Sequence, residues 1–149
     1  PQQADYHQAK VLAEKSVQTG SKAGEIVLAR VLVNQQAGAP NYPHAITLLQ
    51  HAAQDPESDS AVDAQMLLGL IYASGVHLPE DDVKATQYFK ESSALSRTGY
   101  ADYWAGMLFL QGEKGFIEPN RQKALHWLNV SCQEGFDTGC EEFDRISKR

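Results

Sequence analysis

The chain lacks a hydrophobic run long enough to cross a membrane, and it is short of positive charge. No apolar stretch approaches the ~20 residues that a transmembrane helix needs, so we expect no membrane insertion. The 149 residues carry 13 Lys and Arg against 19 Asp and Glu, which gives a formal net charge of −6. This balance, with no polybasic segment, argues against nucleic-acid binding and against attachment to an anionic membrane.

The sequence also lacks the common catalytic motifs. There is no nucleophile elbow, no phosphate-binding glycine loop and no HExxH, so we expect a protein without enzymatic activity. The five histidines do not show the convergent spacing of metal ligands, so we expect neither a metal nor a cofactor. Two acidic pairs, Asp81-Asp82 and Glu141-Glu142, lie at predicted helix starts, where the helix dipole accounts for them.

The size and composition are those of a folded domain. With 42% hydrophobic and 21% charged residues, the chain has enough apolar surface for a core and is neither disordered nor membranous. It begins at Pro1 rather than at Met and shows no signal peptide, so we expect a mature or trimmed form. The length fits one domain or one short repeat array, and we expect a monomer.

An internal repeat organises the second half of the chain. The pattern Ala-x4-Gly-x2-aromatic-x2-Gly occurs from Ala64 to Gly75 and again, 37 positions later, from Ala101 to Gly112. A second pattern, Lys-Ala-x2-aromatic, follows each copy and recurs after 39 positions, because a longer turn with Glu113-Lys114-Gly115 separates the two parts of the second copy. A fixed spacing of small and aromatic residues is the signature of a repeat architecture.

Each repeat is predicted to form two helices. Apolar residues at four-residue steps mark a helical face, and Gly75 and Gly112 stand where a helix would end. Gly69 and Gly106 fall inside helices, where glycine costs about 1 kcal/mol relative to alanine. Such a cost is tolerated where a neighbouring helix must approach closely, and Ala85 and Ala124 would supply the matching flat surface.

We therefore predict an all-α fold of paired antiparallel helices, without strands. The expected helices are 4–18, 23–36, 43–54, 60–74, 81–95, 99–112, 119–133 and 137–147. They form a single repeat domain with a capping helix at 1–20, a divergent repeat at 21–57, repeats at 58–96 and 97–134, and a C-terminal capping helix at 135–149. The array is not divisible, because each pair buries its apolar face only against its neighbours.

At these positions the chain resembles the Sel-1-like repeat family, a group of tetratricopeptide-like proteins. The family motif is close to A-x-x-x-L-G-x-x-Y-x-x-G, then a Pro/Asp turn, then K-A-x-x-W/Y-x-x-x-A. The match is strongest from Ala64 to Cys132 and fades over residues 1–60, where Ala29 replaces the glycine and Leu32 the tyrosine. The resemblance implies a right-handed superhelix of helix pairs with a concave protein-binding face, and it implies no catalytic residues.

Two cysteines lie eight residues apart around a predicted helix-turn-helix corner. The spacing between Cys132 and Cys140 could bring their Cα atoms within disulfide range. Two reduced cysteines in small buried positions of a cytosolic protein are the alternative. The same spacing, with a glycine before the second cysteine, resembles the secreted cysteine-rich bacterial branch of the family, and this resemblance implies a disulfide. A disulfide in turn favours a periplasmic or secreted protein.

The first helix of each pair is expected to line the concave face. With Gly69 and Gly106 as register marks, a strip of Met, Leu and Tyr flanked by polar residues points inward, as adaptable binding surfaces require. The alternative is that these side chains belong to the core between helices. The predicted partner-binding residues are Arg30, Asn34, Asp63, Met66, Leu70, Ser74, Tyr100, Tyr103, Met107 and Gln111.

The sequence thus predicts a non-enzymatic module that binds a partner protein in its concave groove. By resemblance, its most concrete form is a periplasmic immunity protein that inhibits a lipase-type effector, a toxin of type VI secretion. One alternative is a periplasmic scaffold or adaptor for envelope assembly. Another is a penicillin-binding, weakly β-lactam-hydrolysing repeat protein, although the chain has no SxxK motif and only Ser131 to Glu134 superficially occupies that spacing.

Overall fold

The structure, a computed structural model, describes residues 2–55, 58–76, 78–95 and 97–148. Within these ranges it has eight α-helices, one short 3-10 turn over Gln35–Ala37, and a single isolated β-bridge between Glu113 and Ile117. The α-helices are α1 Gln2–Gln18, α2 Lys22–Val33, α3 Tyr42–Ala52, α4 Asp59–Ser74, α5 Asp82–Leu95, α6 Tyr100–Gln111, α7 Arg121–Gln133 and α8 Asp137–Ser147. The predicted all-α fold is confirmed, and each predicted helix boundary lies within three residues of the observed one.

Polar side chains start most of the helices. In each case a side-chain oxygen accepts a hydrogen bond from the backbone N–H three residues further on, which satisfies a donor that the helix itself leaves free. These capping residues are Ser21, Asn41, Ser58, Asp81 and Asn120. Helix α2 ends earlier than predicted because the backbone of Asn34 is extended and its side chain accepts from the N–H of Gln36, which starts the 3-10 turn.

Small residues set the distance between the two helices of a repeat. A Cβ on Gly69 would lie 2.5 Å from Cε1 of the Phe89 ring, and a Cβ on Gly106 would lie 2.8 Å from Cγ of Leu128. The carbonyl oxygen of Ala124 would be 3.1 Å from the same Cβ of Gly106. The mid-helix glycines therefore stand where α4 meets α5 and where α6 meets α7, as the sequence predicts.

A second set of small residues joins each pair of helices to the next. A small residue near the end of one helix is followed eight positions later by a small residue near the start of the next helix. The four pairs are Ser16 with Gly24, Ala53 with Ala61, Ser93 with Ala101, and Ser131 with Gly139. Added side chains at Gly24 and Gly139 would overlap Ser16 and Ser131 respectively, so these junctions are also closely packed.

The core runs along the whole array between the two layers of helices. Phe89 and Trp127 come from the second helices of consecutive repeats and meet edge to face, with ring centroids 5.1 Å apart. Both are at most 1% exposed. Such pairs bury large apolar surfaces and add about 0.5–1.5 kcal/mol beyond burial, so the repeats share one core.

A disulfide fastens the last helix. Cys132 at the end of α7 is joined to Cys140 in the first turn of α8, with their Cα atoms 4.5 Å apart. Phe136, between them, lies against the rings of Tyr100 and Tyr103 of α6, at centroid distances of 5.9 and 5.3 Å. Helix α8 is therefore held by a covalent bond to α7 and by aromatic packing on α6.

In two other junctions, a buried carboxyl group takes the place that Cys140 has in the last junction. Glu25, Asp102 and Cys140 each directly follow the second small residue of a junction pair. The imidazole of His51 hydrogen-bonds Glu25, with Nδ1 2.7 Å from Oε2. Asp102 is 1% exposed, and its pKa is raised to about 8, chiefly by burial and next by the charge of Glu134, whereas Lys90 lowers it.

Replacement of Gly106 by alanine should destabilise the protein by about 1–3 kcal/mol, because the added methyl group overlaps Leu128. Alanine is by itself the better helix former by about 1 kcal/mol, so a loss of stability would identify the steric contact as the cause. Urea unfolding followed by circular dichroism measures the change, with Gln122→Ala on the exposed side of α7 as the matched control. An unchanged or raised midpoint for Gly106→Ala would contradict the close approach.

Asp102 should make the protein less stable as the pH rises. Its pKa of about 8 in the folded protein lies above its ordinary value of 3.8, so between these values the folded state holds a proton that the unfolded state has released. Asp102→Asn keeps the shape without the charge. We expect it to flatten the decline of stability between about pH 4 and pH 8 and to exceed the wild type at the upper end.

Urea midpoints at several pH values test this expectation. The exposed Asp144 of α8 provides the control, since Asp144→Asn should follow the wild-type profile. A difference in stability between the wild type and Asp102→Asn that stays constant over this range would show that Asp102 is ionised in the folded state.

Candidate protein-binding groove

The ten predicted partner-binding residues lie on α2, α4 and α6 or, for Asn34, directly after α2. Seven of them are at least partly exposed, but Asn34, Met66 and Leu70 are only 4%, 6% and 1% exposed. Met66 and Leu70 belong to the hydrophobic core. These two residues therefore occupy core positions, which was the alternative interpretation. Of the predicted residues on α4, Asp63 and Ser74 are the ones at least partly exposed.

The loop between α6 and α7 is part of the hydrophobic core. Residues 112–120 turn back across the array, and Phe116 and Ile117 enter the same hydrophobic core as Met66 and Leu70. The sequence indicates a longer turn here because of Glu113-Lys114-Gly115. It does not show that this turn brings two apolar side chains into the interior.

Three polar contacts tie this loop to α2, about 80 residues away in the sequence. The Arg30 guanidinium and the Glu113 carboxylate form an ion pair with an N–O distance of 3.2 Å. The side-chain amide of Asn34 donates to the carbonyl oxygen of Lys114 at 3.1 Å. The backbone N–H of Gln35 donates to the carbonyl oxygen of Gly115 at 2.8 Å. We call this set of contacts, with residues 113–115 on one side and 30–35 on the other, the clasp.

Asn34 is the centre of the clasp. Its amide group contacts Lys114, and also the hydroxyl of Tyr6 at 3.4 Å, while its oxygen accepts from the N–H of Gln36 at 2.8 Å. Gly115 has φ +87° and lies so close that any Cβ would overlap the Asn34 side chain, so only glycine fits there. Asn34 was predicted to contact a partner, but the structure gives it contacts within the chain.

Two pockets open beside the clasp and share Arg30. The larger, of about 420 Å³, is lined by Tyr6, Ala9, Val27, Val31, Arg30, Asn34 and Glu113. The smaller, of about 270 Å³, is lined by Ile26, Arg30, Asp63, Met66, Leu67 and Trp104. We call these two pockets together the groove. The structure thus brings together four of the ten predicted residues, namely Arg30, Asn34, Asp63 and Met66.

The other predicted residues lie outside the groove. Tyr100 and Tyr103 pack on Phe136 at the junction with α8, and Met107 is partly exposed on α6. The carbonyl oxygen of Ser74 accepts a hydrogen bond from Nζ of Lys123 at 2.8 Å. Gln111 lines a separate cleft of about 450 Å³ along the loop 112–119.

Sequence reasoning missed the apolar part of the groove. Val27 is 47% exposed although it is hydrophobic, and Trp104 is partly exposed in the smaller pocket. Val27 lies three residues before Arg30, and therefore on the same helical face, which is a signal that the sequence contains. Trp104 directly follows Tyr103, so the predicted register on α6 was close to the residue that faces the groove.

The groove carries an excess of negative charge. Arg30 is paired with Glu113, whereas within the described part of the chain neither Asp59 nor Asp63 forms an ion pair. Partial burial raises the pKa of Asp63, repulsion by Asp59 raises it further, and the nearby Arg30 lowers it. A positively charged group of a bound partner would therefore interact favourably with Asp63.

The structure offers no accessible nucleophile at Ser131. Its side chain is fully buried, and its hydroxyl donates to the carbonyl oxygen of Gly99 at 2.7 Å. Over the described ranges, no three His, Cys, Asp or Glu side chains come close enough to hold a metal ion. None of the helices in these ranges combines the length and apolarity that crossing a bilayer requires.

Comparison with known proteins agrees with this architecture. The Sel1 repeat family model matches residues 62–96 and 99–136. YjcO of Escherichia coli K12, a Sel1-repeat-containing protein, is 69% identical over 147 residues, which is 99% of this chain and 64% of YjcO. The chain therefore spans about two thirds of the length of this relative.

Two further relatives bear on the family and on function. A crystal structure of a Sel1 repeat protein from Klebsiella pneumoniae is 82% identical and superposes with a TM-score of 0.93, covering 95% of this chain and 68% of that one. The alginate biosynthesis protein AlgK of Azotobacter vinelandii is 28% identical over 134 residues, which covers 72% of this chain and 28% of AlgK. From the repeated glycines, the stacked helix pairs and these matches, the chain belongs to the Sel1 repeat family.

Proposed function

We propose that this chain is a non-enzymatic module that holds a partner protein in the groove. Sel1 repeats mediate protein interactions and are generally without catalytic activity, which supports the class of function. The observation that carries the proposal is the exposed apolar lining of two adjoining pockets, with Val27 and Trp104 on it. The clasp holds α2 against the loop between α6 and α7. The groove is therefore preformed, and binding there requires little ordering of the chain.

The compartment we propose is the bacterial periplasm. Disulfides persist in oxidising environments and are rare in the cytosol, and the Cys132–Cys140 bond closes the C-terminal end of the array. Relatives at 69% and 82% identity come from Escherichia coli and Klebsiella pneumoniae, which supports a bacterial origin.

Between the two narrower roles, we favour a scaffold or adaptor in envelope assembly. The support is the relationship to AlgK, a protein of alginate biosynthesis, which extends over 72% of this chain. The immunity role rests on the family resemblance alone. Both roles would use the same groove, so the identity of the bound protein distinguishes them.

Loss of the disulfide should lower the stability of the protein by about 2–3 kcal/mol, the chain-entropy value for a closed loop of about nine residues. We expect Cys132→Ala/Cys140→Ala to show this loss in urea unfolding, and the wild type in reductant to match the variant. Mass spectrometry of the protein from thiol-blocked producing cells under non-reducing conditions should recover the two cysteines in linked peptides. Two free thiols in that sample would contradict the proposed compartment.

Photo-crosslinking in producing cells tests the groove itself. A photoreactive phenylalanine derivative in place of Trp104 should form adducts with a protein partner, whereas the same group at Gln87, on the exposed side of α5, should not. Val27→Glu places a charge in the apolar lining and should reduce the Trp104 adducts about ten-fold or more. Val83→Glu is the matched control, because Val83 is 80% exposed on α5 and outside the groove.

Adducts from Gln87 only, or Trp104 adducts that survive Val27→Glu, would contradict the proposal. The adduct also separates the narrower roles: an envelope-assembly protein supports the adaptor, and a lipase-type effector supports the immunity protein.

A further inference from the structure

The lining of the groove identifies the apolar part of an occupant. The larger pocket is lined chiefly by Tyr6, Val27 and Val31, and the smaller one by Ile26, Leu67 and Trp104. Arg30 stands between them. An occupant therefore needs two apolar side chains on one face, separated so that they reach pockets on either side of the guanidinium. An amphipathic helix provides this arrangement through residues three or four positions apart.

The charges in and around the groove identify its polar part. The guanidinium of Arg30 is held by Glu113, so the one basic side chain that lines the pockets is already neutralised. Asp63 lines the smaller pocket, and Asp59 lies one turn before it on α4. An acidic partner would be repelled here, and an uncharged one would remove water from Asp63 without replacing its interactions.

We propose that the groove binds a basic amphipathic helix of a partner protein, with two apolar side chains in the pockets and a Lys or Arg against Asp59 and Asp63. This inference rests on the proposed function, because it concerns the same groove. The partner's cation offsets the repulsion between the two aspartates, and its apolar side chains cover Val27 and Trp104. The overall charge of −6 favours the approach of such a partner.

Trp104 offers a local signal for the test. Of the two tryptophans, Trp127 is 1% exposed, so a ligand in the groove changes mainly the emission of Trp104. The probes are two synthetic helical peptides of about 18 residues with the same leucine positions, one carrying Lys and the other Glu at the charged positions. We expect the Lys peptide to shift the emission saturably and to bind about ten-fold or more tightly than the Glu peptide.

Charge-neutralising variants test the role of the two aspartates. Asp59→Asn/Asp63→Asn should weaken the Lys peptide about five-fold or more and reduce the salt dependence of its binding. Glu141→Gln/Asp144→Asn makes the same change of charge at exposed positions of α8 and should leave binding unchanged. Trp104→Phe should remove the emission change, which confirms the location of the signal.

Equal binding of the Glu peptide, or an unchanged affinity in Asp59→Asn/Asp63→Asn, would overturn the inference. The inference would also be overturned if neither peptide altered the emission of Trp104. The proposed function is judged separately by the photo-crosslinks from Trp104: adducts there, together with failure of the Lys peptide, would mean that the groove binds a partner of different chemistry.

Discussion

The close approach of neighbouring helices is the constraint on which the rest of this structure depends. At Gly69 and Gly106 the second helix of a repeat comes so near that even a methyl group would overlap it. Glycine inside a helix costs about 1 kcal/mol each, and that cost is offset because the two helices bury large side chains such as Phe89 and Trp127 between repeats. The distance between the two helices of a repeat follows from these contacts.

The four junctions between helix pairs use the same geometry for different chemistry. The position after the second small residue holds Glu25 in the first junction, Asp102 in the third and Cys140 in the last. Glu25 is bound by His51, and Asp102 retains its proton near neutral pH because it is buried beside Glu134. Among the described junctions, the one between α7 and α8 carries a covalent bond.

The clasp joins two distant parts of the repeat array. Residues 113–115 bind residues 30–35, about 80 positions earlier in the chain. Phe116 and Ile117 join the hydrophobic core, and the two pockets of the groove are lined by residues of α1, α2, α4 and α6 together with Glu113. The loop contributes Glu113 to the larger pocket, where it pairs with the arginine that both pockets share. Family membership accounts for the fold, whereas the groove depends on these particular residues.

The sequence by itself determined the helices, their pairing and the two cysteines as a plausible bridge around one corner. Those features depend on local periodicity, on glycine and proline, and on contacts between residues that are near in the chain. The tertiary structure alone decided which inward-facing residues remain open. Asn34, Met66 and Leu70 lie on the predicted face and are nevertheless buried: Asn34 binds Lys114 of a loop 80 residues further along the chain, and Met66 and Leu70 belong to the core. Val27 and Trp104, which the predicted set omits, stay accessible. Long-range closure of a loop leaves no periodic pattern in the sequence, so only the folded chain shows where the groove lies.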